Sequence, residues 1–122
     1  MKKLIPFLFL FLVSCQFRKT PEWYGTWGGD YFFVKVYYFL NGSSYEQRTY
    51  SSNMVWVGGT KGELEVEKDL MIFRVKQEYV SDVTGKGHYE SADKILPMRF
   101  ILDKDLIVFN PNTDLEIILQ KQ

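Results

Sequence analysis

The chain has 122 residues, with fifteen Lys and Arg against fifteen Asp and Glu, so it carries no formal net charge at neutral pH. That balance gives no sign of a nucleic-acid partner, which would want a basic patch, and one histidine with one cysteine supplies neither a catalytic triad nor an internal disulfide. The length suits a single domain with a core of its own.

Met1-Lys2-Lys3 is a basic start, and an apolar run follows from Leu4 to Val13. Ten helical residues rise only about 15 Å, half of a ~30 Å hydrocarbon core, so the run is too short for a retained membrane span. Pro6 within it also opposes a long helix. Leu12-Val13-Ser14-Cys15 then matches the lipobox at every position. Over residues 1–15 the chain resembles the bacterial lipoproteins. The resemblance implies that residues 1–14 are a signal peptide removed before Cys15. It also implies a diacylglyceryl group in thioether linkage on the Cys15 sulfur, with a further acyl chain such as palmitate on its amine. At about 0.8 kcal/mol per buried CH₂, two or three such chains hold a protein on a bilayer where one would not. The expected location is the cell envelope, lipid-anchored. Gln16, where an Asp would retain the protein at the inner membrane, points to the outer membrane of a host that has one.

Cleavage leaves 108 residues, Cys15–Gln122, with three Trp, eight Tyr and seven Phe and a net charge near −2. Aromatic and β-branched residues at this density favour strands, and no window keeps a 3.6-residue apolar period. Residues 15–22 read as the lipidated cysteine and a short tether holding Arg18, Lys19 and Pro21. At ~3.5 Å per residue the tether reaches about 25 Å. Residues 23–122 read as the domain.

Tyr31–Leu40 is the strongest strand pattern. Phe32, Val34, Val36, Tyr38 and Leu40 are expected on the core face, and Tyr31, Phe33, Lys35, Tyr37 and Phe39 on an unusually apolar second face. Asn41-Gly42 is a hairpin turn signal, with Tyr45–Tyr50 returning. Val66–Phe73 and Leu102–Phe109 repeat each other at an offset of 36 residues. A two-residue loop at Lys68-Asp69 pairs Leu64 with Phe73, Val66 with Met71 and Glu63 with Arg74. The same loop at Lys104-Asp105 pairs Phe100 with Phe109 and Leu102 with Ile107. After Asn110-Pro111-Asn112, Leu115, Ile117 and Leu119 mark a last strand. About eight short strands joined by hairpins point to an all-β, antiparallel up-and-down meander closed into a small barrel.

Gly25-Thr26-Trp27 fits the Gly-x-Trp opening of the lipocalins and related calycin barrels, and residues 23–121 are similar to the small bacterial lipocalin-like domains. The resemblance implies a lipocalin-like barrel with Trp27 near its closed end, under a basic side chain from a late strand; Arg99 is the candidate. At 108 residues the mature chain is shorter than classical lipocalins, and eight strands can be filled by their own side chains.

His88, with Glu90, Asp82 and Asp93 nearby, is read as an exposed hairpin tip, and no metal or other cofactor is expected. Gly58-Gly59-Thr60-Lys61-Gly62 lacks phosphate-loop spacing and reads as a turn entering a strand. Glu63, Glu65 and Glu67 read as a solvated outer face beside Arg74 and Lys76. The aromatics carry the functional expectation. Trp27, Tyr31, Phe33, Tyr45, Trp56 and Arg99 are the candidate contacts for a hydrophobic or amphipathic small molecule, with Tyr50 and the odd face of residues 31–39 as further lining. The alternative is a protein-contact lipoprotein with a filled barrel: an envelope assembly subunit, an inhibitor or an adhesin. Neither reading is an enzyme, and the membrane partner in both is reached through Cys15.

Overall fold

A computed structural model describes residues 21–82, 84 and 86–122. Cys15, the signal segment and most of the tether lie outside the described residues. Eight antiparallel strands close into one meander barrel in chain order: β1 (Gly25–Tyr31), β2 (Val34–Asn41), β3 (Ser44–Tyr50), β4 (Trp56–Glu67), β5 (Leu70–Ser81), β6 (Gly87–Asp103), β7 (Leu106–Phe109) and β8 (Ile117–Lys121). The all-β meander expected from the hairpin rhythm is the observed fold. Closure joins β1 to β8 through Trp27 opposite Lys121 and Gly28 opposite Gln120. The Gln122 amide, donating to the Thr26 carbonyl at 2.9 Å, extends this seam.

Both repeat hairpins form in the expected register. Leu64 faces Phe73, Val66 faces Met71 and Glu63 faces Arg74; Phe100 faces Phe109 and Leu102 faces Ile107. Lys68 and Lys104, each first in its two-residue loop, take positive φ of 54° and 56°. The chain adopts there the geometry that a primed hairpin turn demands, without the glycine that usually supplies it.

The strand expected over Tyr31–Leu40 is instead two strands. Tyr31 pairs with Val34 across a tight Phe32-Phe33 hairpin. Phe32, expected in the core, is exposed at its tip with φ of 55°. The inward alternation survives from Val36 through Tyr38 to Leu40. Next, the loop is Gly42-Ser43, one residue later than the expected Asn41-Gly42, and Asn41 pairs with Ser44. Gly42 fills the first loop position, where φ is 63°, which a residue without Cβ adopts at no cost. Gly58–Gly62 lies inside β4 rather than in a turn before a strand. Leu115, expected in the last strand, is exposed in the loop before β8.

Trp27, Leu40, Leu64, Met71, Phe73, Val75, Ile107, Phe109 and Leu119 are almost wholly shielded from water. Burying side chains of this size contributes up to roughly 1.5–3 kcal/mol each. Inside the barrel four rings meet. Tyr38 lies 5.7 Å from Phe73 and 5.1 Å from Phe109, and Tyr45 lies 4.8 Å from Phe73, centroid to centroid. They plug the interior.

Strand reversal sorts the connections to two ends. The chain entry at residues 21–24 shares one end with the loops Gly42-Ser43, Lys68-Asp69 and Lys104-Asp105. Phe32-Phe33 and the connections that follow Tyr50, Ser81 and Phe109 form the other. β6 outruns its neighbour β7, which pairs only with Phe100–Asp103. The Arg99 carbonyl accepts from the Asn110 amide on the β7 side. Alternation therefore turns Pro97, which has no N–H, to the same uncovered side, where it blunts the edge.

Candidate functional site

Trp27 is buried towards the chain-entry end, its indole N–H donating to the Trp23 carbonyl at 3.0 Å. The cation over its ring is Lys121, at 5.6 Å from the centroid. Arg99 is not that partner; it is exposed on β6, opposite Leu70. Inward-facing neighbours on β6 are Met98 and Phe100, so strand alternation turns Arg99 outward.

Tyr45 is likewise interior. Its hydroxyl donates to Thr60 Oγ1 at 3.0 Å, and burial raises its pKa above the ordinary phenol value, with Thr60 opposing and Glu78 adding to the shift. Around it the inner wall turns polar towards the far end. Gln47 Nε2 donates to Thr49 Oγ1 at 2.8 Å, and Lys94 pairs with Glu78. A plug of four rings beneath a self-paired polar mouth leaves the barrel unsuited to hold an apolar ligand inside.

The remaining aromatics gather outside. Cross-strand pairs share a face, and the register lines up Tyr37, Arg48, Gly59, Tyr79 and Tyr89 across β2 to β6. Gly59 contributes no side chain to this row. The Trp56 indole joins the residues on either side of it, stacking on Tyr79 at 3.6 Å and 2° and holding the Arg48 guanidinium 4.4 Å from its centroid. The indole N–H is satisfied by the Gly58 carbonyl at 2.9 Å. Tyr89 meets Trp56 and Tyr79 edge-on, and the Lys61 ammonium lies 3.9 Å from the Tyr89 centroid. Arg48 also pairs with Glu46 and donates to the Tyr50 hydroxyl at 3.4 Å. Those hydrogen bonds, Tyr50's first, push its pKa further above the ordinary guanidinium value, so it stays charged. Partial burial raises the Tyr89 pKa, and the Glu46 carboxylate adds to it.

Beside this stack a groove of about 370 Å³ opens on the outer surface, lined by Thr26, Tyr37, Phe39, Tyr50, Met54 and Gln122. Tyr37 packs edge-on against Tyr50 at 5.7 Å. Its ring also lies over Gly28, where a Cβ would stand 2.6 Å from it, so only glycine lets Tyr37 form the groove floor. Arg48 bridges groove and stack, 5.9 Å from the Phe39 ring.

The six candidate residues therefore separate. Trp56 joins the outer aromatic face, with Tyr50, Tyr37 and Phe39 beside it. Trp27 and Tyr45 are core. Tyr31 ends β1, packed edge-on against Phe32, and Phe33 is at the far-end hairpin tip. Arg48, Met54, Tyr79 and Tyr89 were missed from sequence. Tyr79 and Tyr89 flank the 82–86 connection symmetrically, a signal that a hairpin there would pair them. His88 is exposed near the start of β6 and lies 3.1 Å from Glu90. Among the described residues no three His, Cys, Asp or Glu side chains gather as a metal site. Glu65 pairs with Arg74 at 3.4 Å on the outside of the β4–β5 hairpin. Comparison of the sequence with protein-family models and curated proteins, and of the fold with solved structures, finds no match.

Proposed function

We propose that this chain is a non-catalytic binding module of the bacterial cell envelope, with a lipocalin-like barrel held on the membrane by lipidated Cys15. It takes a hydrophobic or amphipathic small molecule on its outer aromatic face rather than inside the barrel. One observation carries the choice of seat: the interior is plugged by Tyr38, Tyr45, Phe73 and Phe109, while Tyr37, Phe39, Tyr50 and Met54 line an open groove outside. The groove's size and aromatic lining fall within the range of small-molecule sites. The lipobox supports the anchor, and an outer-membrane location follows from Gln16 where the host has that membrane.

The test is displacement of anilinonaphthalene sulfonate by dodecanol from the wild-type chain and from Phe39→Glu with Met54→Glu. The expected result is displacement from the wild type and loss of probe binding in the double variant, at unchanged stability. Undiminished binding by the double variant overturns the outer seat.

A protein contact through the same face is the second reading, favoured by the filled interior and by the breadth of the aromatic row. It requires that the double variant lose a partner recovered from envelope extracts while the wild type displaces no probe.

A further inference from the structure

The two ends of the barrel are built from opposite chemistry. At the chain-entry end the three two-residue hairpins carry Gly42-Ser43, Lys68-Asp69 and Lys104-Asp105. At the far end, three of the connections display large apolar side chains to water: Phe32 is 79% and Phe33 90% exposed, Met54 52% and Leu115 64%. The Phe32-Phe33 tip is also the costly choice for its backbone, since a bulky aromatic at a φ of 55° is rare. Phenyl side chains this exposed at a hairpin tip have the polarity and reach to enter a soft apolar layer.

We propose that this far end dips into the interfacial layer of the bilayer that carries Cys15, as a second membrane contact; the proposal rests on the anchor reading above. The reach of the chain decides for that bilayer. The seven residues of β1 span about 23 Å at ~3.3 Å each. The tether from Cys15 to Glu22 extends to about 25 Å. A tether as long as β1 lets the barrel lie over, so that the Phe32-Phe33 tip at the end of that strand meets the surface from which it hangs. Charge selects the lipid. Asp30 is paired with Lys35 there at 3.2 Å, and Asp82, Asp114 and Glu116 outnumber Lys86. Anionic headgroups are therefore not attracted, and apolar insertion into a zwitterionic surface carries the contact. Met54 belongs both to this rim and to the groove, so the groove opens where the barrel meets lipid.

Lipidation of Cys15 occupies the single native thiol, so an introduced cysteine is the sole labelling site. The full mature chain, lipidated and reconstituted in phosphatidylcholine and phosphatidylethanolamine vesicles, is spin-labelled at Phe33→Cys and, separately, at Asp69→Cys. The expected result is a label at position 33 that loses collisional access to a water-soluble nickel complex and gains access to oxygen. The label at position 69 stays open to nickel. Vesicle-bound protein whose position 33 is as open to nickel as position 69 overturns the proposal alone. Protein that does not float with vesicles, and whose Cys15 itself takes the label, overturns the anchor and this contact together.

Discussion

The Arg48 guanidinium lies 4.4 Å from the Trp56 ring centroid, and Tyr79 stacks on the same indole at 3.6 Å. The arrangement fixes a cation on the wall of the groove without leaving it free, because Glu46 and Tyr50 also hold it. Cation–π contacts contribute about 0.5–1 kcal/mol at exposed sites and ~2 kcal/mol when desolvated. Arg48→Ala is expected to lower stability by about 1 kcal/mol and to shift Trp emission to the red, as urea unfolding followed by fluorescence will show. Arg48→Lys should recover little of either, since an ammonium cannot stack its plane on the indole.

Trp27 makes the same kind of contact at the chain-entry end, with Lys121 as the cation. Lys121→Met is expected to lower the urea midpoint by the equivalent of roughly 0.5 kcal/mol, and Arg99→Met to leave it unchanged. A larger effect at Arg99 would mean that the wrong late-strand cation has been placed over Trp27.

The hairpin backbones make a second stability test. Phe32 and Lys104 hold φ of 55° and 56°. Glycine at such a position relieves strain, so Lys104→Gly and Phe32→Gly should each raise stability by roughly 0.5–1 kcal/mol in urea unfolding. The two should part in membrane association, where only Phe32→Gly weakens vesicle contact.

Burial raises the Tyr38 pKa above the ordinary phenol value, and Tyr45 adds to the shift. A folded-state value above the unfolded value means that the fold favours the neutral phenol. This contribution is fully present below the unfolded pKa, about 10, and is lost as pH rises beyond it. Stability is therefore expected to be insensitive to this group up to about pH 9 and to fall in alkali. Tyr38→Phe should flatten that fall, which unfolding midpoints across the alkaline range will report.

Local chemistry explains which parts of this fold could be read in advance. The hairpins at Lys68-Asp69 and Lys104-Asp105 were legible because apolar pairs on one face and Glu63 with Arg74 on the other permit a single register. β1 was not. Gly25, Gly28 and Gly29 give it poor strand propensity, and its end is a turn made of two phenylalanines, which read as strand. The outer face was half legible. Trp56, Tyr50 and the odd positions of β2 stood out as surplus aromatics. Arg48, Tyr79 and Tyr89 join them only through pairing across four strands. Tyr45 was misplaced because hydroxyl-bearing aromatics serve core and surface alike, and alternation decides between them only once the register is known.

The most direct test of the outer seat uses three methionines. Met54 lines the groove, Met71 is fully buried in the barrel, and Met98 packs against its core. With ¹³C-methyl methionine in the chain, titration with dodecanol should shift the Met54 methyl resonance and leave those of Met71 and Met98 in place. Shifts at Met71 or Met98 with Met54 unmoved would put the ligand inside the barrel and contradict the account.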